Sequence, residues 1–458
     1  FVTIGNAGPI VIAGDHAWLD GGSAADHAFV FDNAGSPTFE RVEFRNLWFK
    51  NFTDRAIECS PFDTSSRPTI ERIVVSGCRV EDSAYGFHFY CKIGSGLFEG
   101  NTFENLDNAT TDGATALFIG SKYDVDQAET KNIIVTGNYA NNLRCTATSS
   151  STHAIIIFGH TVVVNGNIVC DNQATGTTPE GGMAISVKAY NVNISDNVCI
   201  NGGGADDGHI YVKGLGRGDG ASGSNGGESY AIKICDNVVI STIEEAYNQS
   251  EGGISVDGGS DGKDNIVISG NYVEGMRNHG IKVEGSGAHD DISIVDNQVY
   301  GTRRNYGIRY VSTGKRLTIR GNRVVGIGMD GLQTNPIGIR VDPVGALDVC
   351  EIVDNLVSDN ALATGSGTVY GIFFRPSAGA VSKARIERNT VDMQTTRAQV
   401  GLYVSVTGTG TLASGRINDN AIYVTAGNTA QSVSGAGSLS VNGMMTASAD
   451  DATPRGLG

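Results

Sequence analysis

The sequence predicts an all-β fold: a single-stranded, right-handed parallel β-helix, or β-solenoid, of about twelve or thirteen coils. Three observations predict it. First, one phrase recurs about a dozen times: a short β-branched run ends in Gly-Asn or Asp-Asn, a turn follows, and a second run opens with Gly and an aliphatic residue. Ile266-Val267-Ile268-Ser269-Gly270-Asn271 followed by Gly280-Ile281-Lys282-Val283-Glu284 is one copy, and Leu317-Thr318-Ile319-Arg320-Gly321-Asn322 followed by Gly338-Ile339-Arg340-Val341-Asp342 is another. Second, each run alternates apolar with polar residues, the period of a strand with one buried face. Third, 63 glycines and only 9 prolines in 458 residues suit short strands joined by tight turns.

The asparagine that closes the first run can be followed as Asn46, Asn101, Asn138, Asn167, Asn197, Asn237, Asn271, Asn297, Asn322, Asn355, Asn389 and Asn420, with Cys78 in the same place in one coil. The mean spacing is about 31 residues, within the range of repeat solenoids. Individual intervals run from 23 to 40, so the strands keep register while the turns vary in length. Such insertions cost little where the chain ends are already held together. Stacked coils pair each strand with its copies in parallel at roughly 4.8 Å. The asparagine is expected to turn inward at the corner and bond to its neighbours as a side-chain ladder. The Gly or Asp before it fits a corner that needs unusual backbone angles. Right-handedness follows from the general rule for parallel crossovers.

This pattern gives one β-helix domain over residues 1–424. Residues 425–458, rich in Ser, Ala, Gly and Thr, lose the repeat and read as an irregular arm or cap. Residues 214–228 read as a glycine- and serine-rich loop. The chain opens mid-pattern at Phe1, so a leader or capping segment is expected ahead of it.

A net charge of −16 argues against nucleic acid as a partner, because phosphate binding needs a basic stripe. It favours solubility in an extracellular, cell-surface or virion setting. The longest clean apolar run, residues 154–158, is far too short to span a membrane. Eight cysteines do not make a disulfide scaffold, and no Cys/His spacing suggests a metal, so neither metal nor cofactor is expected. Cys59 and Cys91 should stack on adjacent coils, either as buried thiols or as a bridge.

Chemistry is sought among the outward side chains of the Gly-aliphatic strands. One outward column runs Glu58, His88, Phe118, Ile156, Ser186, Tyr211, Ser255, Lys282, Arg309, Arg340, Phe373 and Tyr403. The column two residues later holds Ser60, Tyr90, Gly120, Phe158, Lys188, Lys213, Asp257, Glu284, Val311, Asp342, Arg375 and Ser405. Carboxylates interleaved with cations and bordered by aromatics suit a saccharide groove, where aromatic faces stack on sugars and Arg holds uronate carboxylates. Asp257, Glu284 and Asp342 are the catalytic candidates. Tyr211, Lys213, Lys282, Arg309, Arg340, Phe373, Arg375 and Tyr403 are the substrate-binding candidates. Glu284 and Asp342, two coils apart, approach the roughly 6.5–9.5 Å separation of an inverting carboxyl pair. The same alternation of charges also makes a cross-strand salt-bridge ladder without any ligand. A second candidate site holds Glu58, His88 and Tyr90, with Lys92, Lys122 and Asp124 nearby and His88 as a general base.

With the repeats laid out, the chain resembles the pectin-lyase-like superfamily of parallel β-helices over nearly its whole length, on the Asn-closed and Gly-aliphatic runs quoted above. The opening Gly14-Asp15-His16-Ala17-Trp18-Leu19-Asp20-Gly21-Gly22 is similar to the first coil of such enzymes and of phage tailspikes. The resemblance implies a polysaccharide ligand and activity as a glycoside hydrolase or polysaccharide lyase, with a homotrimeric tailspike as one arrangement. The Thr111-Asp112-Gly113, Asp206-Asp207 and Asn278-His279-Gly280 fragments depart from the polygalacturonase signature, and no Arg-Ile-Lys follows. The alternative is a non-catalytic fibre, adhesin or surface-layer solenoid, since fold does not decide function.

Overall fold

The computed structural model describes residues 2–4, 8–31, 37–59, 67–108, 113–120, 130–145, 151–174, 181–202, 208–213, 230–242, 252–258, 264–329, 335–359, 367–393, 397–425, 427–434, 439–442 and 445–448. Among them there is no helix. Parallel strands stack as a β-solenoid of about 11 turns, a little short of the number of repeats in the sequence. Where the sequence suggested one continuous domain, the chain divides into two compact units, Phe1–Gly259 and Ser260–Gly458. Both are built from the same coil.

A coil has three strands. In the first unit, Ile73–Ser76 precedes the asparagine corner, Arg79–Glu81 follows it, and Tyr85–Phe89 carries the outward columns. Each pairs in parallel with its copies above and below, as Val75 does with Phe44 and Phe98. These three are called here the pre-corner, post-corner and groove strands. In several coils the groove strand runs unbroken into the next pre-corner strand, as in Ser151–Asn165 and Tyr306–Arg320.

Register turns the apolar half of each alternation into solid columns. In the second unit Ile268, Ile294, Ile319, Ile352, Ile386 and Ile417 lie opposite one another, none more than 1% exposed. The first unit fills its lower coils with phenylalanine instead. Phe87 packs edge-on against Phe49 and Phe103, with ring centroids 5.6 and 5.1 Å apart, a favoured aromatic arrangement.

The glycine that opens the groove strand is dictated by this packing. A Cβ on Gly307 would lie 2.2 Å from Val324 Cγ1 and 2.7 Å from the Gly338 carbonyl. Only a residue without a side chain lets the post-corner valine fill the core at that level. Gly338, Gly371 and Gly401 face the same constraint.

The corner itself is a buried amide ladder. Asn297 Nδ2 donates to Asn322 Oδ1 at 3.0 Å and to the Ile268 carbonyl at 2.9 Å, while the Asn297 backbone N–H donates to the same Asn322 Oδ1 at 3.0 Å. Asn322, Asn355, Asn389 and Asn420 continue this pattern in the second unit. Asn101, Asn138, Asn167, Asn197 and Asn237 form it in the first. The residue before each ladder position adopts a left-handed φ, for example 66° at Gly270, 55° at Asp296 and 57° at Asp354, which Gly and Asp tolerate best.

Two sequence readings change here. Arg79 N–H donates to the Leu47 carbonyl just as Thr102 N–H donates to that of Cys78. The ladder position of that coil is therefore Leu47, and Asn46, with φ 53°, occupies the left-handed corner before it. Parallel pairing also continues beyond residue 424. Thr429–Ser434 lies beside Ala398–Ser405, and Met445–Ser448 beside Ala421–Val424. A Ser/Ala/Gly-rich composition therefore does not by itself end the stack.

Cys59 and Cys91 are both free and buried. Burial, and then a hydrogen bond with the Cys91 thiol, push the Cys59 thiol well above its ordinary pKa. The segment 214–228 and residues Ser60, Thr111, Asp112, Lys122, Asp124, Asp206 and Asp207 lie outside the described residues.

Removing one rung should be costly, because it orphans buried donors on the neighbouring coil. Asn322→Ala leaves the Asn297 N–H without its acceptor, at about 1–3 kcal/mol per buried unsatisfied group. Urea unfolding should show a loss of about 2–4 kcal/mol for Asn322→Ala and a change within about 0.5 kcal/mol for Thr318→Ala on the outward face of the same coil. Equal effects from the two variants would contradict a ladder that carries stability.

Candidate functional site

The groove strands place the outward side chains in the columns that the sequence alignment gives. In the first unit Glu58, His88, Phe118, Ile156, Ser186, Tyr211 and Ser255 pair in turn. In the second, Lys282, Arg309, Arg340, Phe373 and Tyr403 do the same. Two residues further on, Lys188 faces Lys213, and Lys213 faces Asp257. The candidate carboxylates thus fall in different units: Asp257 in the first, Glu284 and Asp342 in the second.

The second unit ties its carboxylates into ion pairs. Lys282 Nζ lies 2.6 Å from Glu284, and Arg309 lies 3.6 Å from the same carboxylate. Arg340 and Arg375 contact Asp342 Oδ2 at 2.8 and 2.7 Å, and Ser377 Oγ donates to Oδ1 at 2.7 Å. Arg340 also donates to the Tyr306 hydroxyl at 2.6 Å. Burial by itself would raise the Asp342 pKa, but the hydrogen bonds from Arg340, Ser377 and Arg375 outweigh it and hold the carboxyl below its ordinary value. Arg309 occupies the coil between Glu284 and Asp342 and reaches Glu284. Glu284 is therefore shared between Lys282 and Arg309, as Asp342 is between Arg340 and Arg375.

The aromatic candidates are similarly engaged. The Phe373 and Tyr403 rings stack at 4.7 Å with an 18° interplanar angle, which one-coil spacing imposes on in-register rings. Each covers a face of the other, and Arg340 and Arg375 lie over Phe373 at 5.9 and 5.3 Å. Arg309, Arg340 and Arg375 are part-exposed on this face, while Lys282 and Asp342 are buried.

The first unit assembles a different group around Glu58. His27 Nε2 lies 3.2 Å from Glu58 and 3.8 Å from Asp54. Arg55 Nη1 contacts the same two carboxyls, at 3.3 and 2.9 Å. Arg55 Nε donates to His88 Nδ1 at 3.0 Å, so neutral His88 carries its proton on Nε2. The Tyr85 ring lies under the Arg55 guanidinium at 5.0 Å and edge-on to His88. Burial raises the Glu58 pKa, and the positive charges of Arg55 and His27 offset only part of that rise. Burial, reinforced by Arg55, pushes His88 well below the usual histidine range. His88 is therefore neutral near pH 7 and accepts from Arg55. Tyr90 sits apart from this group, packed with Phe118, Ile156 and Phe158 beneath Arg67.

Sequence reasoning found Glu58 and His88 but missed His27, Asp54 and Arg55. His27 precedes the strand Phe29–Phe31, which pairs with the Glu58 strand and has Ala28 where many groove strands carry glycine. Asp54 and Arg55 precede Glu58 in the same coil, and the three-residue offset of Arg55 from Glu58 was the available signal. Among the described residues no group of three or more His, Cys, Asp or Glu could hold a metal ion, and no helix is long and apolar enough to cross a membrane. No family model, curated protein or solved structure matches this chain.

The Asp342 cluster has a definite pH signature. Its folded-state pKa lies below the ordinary 3.8, so its stabilisation is complete above that value and is lost as pH falls through the folded value. Asp342→Asn should cost on the order of 3 kcal/mol at pH 7, where two guanidinium groups lose their partner. In urea unfolding the gap from wild type should close as pH drops below 3.8. A gap unchanged by acid would mean that the carboxylate charge contributes nothing.

Proposed function

We propose that the protein binds and cleaves an acidic polysaccharide along the outward face of its groove strands, in an extracellular, cell-surface or virion setting. Glu58 carries the proposal for cleavage. It is a carboxyl kept easy to protonate by burial, beside a second carboxyl, two histidines and an arginine. A carboxyl whose pKa burial raises, set beside a second carboxyl, suits a site that does acid and base work. In a hydrolase, Glu58 gives its proton to the glycosidic oxygen as that bond to the sugar breaks. Asp54, more exposed than Glu58, then serves as base or nucleophile. Arg55 and His27 hold both carboxyls in place.

The second unit, taken by itself, supports an anionic substrate. On a chain of net charge −16, four cations against two carboxylates form a locally positive row, which favours uronate or other anionic sugars. In a lyase, such a cation neutralises the uronate carboxylate while a base takes the adjacent proton, the leaving oxygen departs and a double bond forms. Glu284 and Asp342 of the second unit are the rival catalytic pair.

A second reading, a non-catalytic fibre or adhesin, is favoured by the closure of the second unit's charges and rings upon one another. Release of reducing ends and of unsaturated uronate from pectate, alginate, fructans and bacterial capsules separates the readings. Glu58→Gln should lose at least about 100-fold in turnover with the fold intact. A loss confined to Glu284→Gln and Asp342→Asn would move the reaction to the second unit, and no product from any polymer would favour the fibre. A homotrimer belongs to the tailspike form of this proposal. Sedimentation equilibrium giving three chains would support that form, and a monomer would remove it.

A further inference from the structure

The chain has only 2 tryptophans, and the fold brings them together. Trp18 and Trp48 pair in register on adjacent post-corner strands of the first unit, their rings edge to face with centroids 5.0 Å and planes 64° apart. Trp18 is 39% exposed, Trp48 is half-buried, and His16 packs 5.1 Å from Trp48. Core positions elsewhere in this unit are filled by Phe, Ile and Val, so these two large rings serve no interior. They point away from the core on the face opposite to their neighbours Leu19 and Phe49, the latter fully buried.

The rim of this platform is polar. Lys50 lies over the Trp18 ring at 5.4 Å and Arg79 over Trp48 at 5.8 Å. Asp20 joins Lys50, at 3.4 Å, to Asn51, whose Nδ2 donates to Asp20 Oδ1 at 2.9 Å. Asn51 in turn lines a groove of about 640 Å³, together with Thr53, Asp82, Asn105, Asp107 and Asn142. That volume lies within the roughly 300–1,000 Å³ of small-ligand sites.

The groove owes its polarity to a second row of left-handed residues, four or five positions after the corner. Asn51, Asp82, Asn105 and Asn142 have φ of 60, 48, 55 and 56°. Asn142 Nδ2 donates to Asn105 Oδ1 at 2.7 Å, and Asn105 Nδ2 donates to Asp82 Oδ1 at 3.2 Å. In the second unit the same turn position is taken by Gly275, Gly301 and Gly326, also at positive φ. Glycine meets the backbone requirement there without any side chain. Amides and carboxylates in this row of the first unit therefore exceed what the turn itself demands.

We infer that the tryptophan pair and the adjoining amide-lined groove form a saccharide-binding site for neutral sugar rings. The indole faces offer the apolar surface on which a sugar ring stacks, and the Asn and Asp side chains offer paired donors and acceptors for its hydroxyls. Acidic side chains outnumber basic ones around it: Asp20, Glu81, Asp82, Glu104 and Asp107 against Lys50, Arg79 and Arg144, with Arg79 itself paired to Glu81 and Glu104. Uronate therefore gains little here, in contrast to the cation row of the second unit. The site is distinct from the groove-strand face and does not depend on cleavage taking place there.

Both tryptophans lie in the site, so tryptophan emission reports on it alone. Titration with neutral hexasaccharides (maltohexaose, cellohexaose, galactohexaose and mannohexaose), with a galacturonate hexamer as the contrast, should give saturable emission changes for a neutral sugar and none for the uronate. By calorimetry Trp18→Ala, an exposed position that spares the core, and Asn105→Gly, which keeps the positive φ as Gly301 does in the second unit, should each weaken that binding at least tenfold while leaving the urea midpoint near wild type. Glu58→Gln should bind as tightly as wild type, which separates this site from the cleavage proposal. Failure of every neutral hexasaccharide to bind would overturn the assignment, as would binding that both variants retain at full strength.

Discussion

A buried row of asparagine amides fixes the register of this molecule, and register decides which side chains ever meet. Each Oδ1 accepts from both the side chain and the backbone N–H of the neighbouring asparagine, as Asn355 does from Asn322. A coil displaced by one residue would lose these bonds, and the period-two alternation would turn every isoleucine of the inner columns outward. The ladder and the Ile268-to-Ile417 column therefore specify the same alignment by independent means. The Lys282, Arg309 and Arg340 row and the Glu58–His88 neighbourhood are consequences of that alignment.

Stacking identical positions at one-coil spacing has a chemical cost. Like charges and rings are forced together unless the sequence alternates them. The second unit answers by placing Glu284 and Asp342 among four cations and by letting Phe373 and Tyr403 cover each other. The result is a face whose carboxyls are held in ion pairs. The first unit instead gathers Asp54 and Glu58 around one histidine and one arginine in a partly buried recess, where burial and charge act on Glu58 in opposite directions. Two faces of one repeat thus differ in what protons can do on them.

Much of this architecture was legible because its constraints are local and repeated. Gly-aliphatic strands could be aligned by eye since the glycine yields to an apolar side chain in the core, as Gly307 does to Val324 and Gly401 to Ile422, and the first-column pairs read from that alignment within each unit are in register. The reading slipped where one residue type serves two positions. Asn46 mimics the ladder but occupies the left-handed corner, because asparagine suits both. It also missed what periodicity cannot encode. Backbone spacing placed Glu284 and Asp342 two coils apart but said nothing about the rotamers that bring Arg309 and Arg340 to them. His27 precedes a strand without the marker glycine, and the second Asn/Asp row was hidden because glycine replaces it in the second unit.

Amide hydrogen exchange in the native state, resolved by residue, tests the central claim most directly. If the ladder fixes the register, the backbone N–H groups of Asn297, Asn322 and Asn355, though at corners, will exchange as slowly as the core strand amide of Ile319. Exchange at the rate of the exposed turn over residues 407–410 would show that the corners open freely, and the columns would then have to be held by the strands alone.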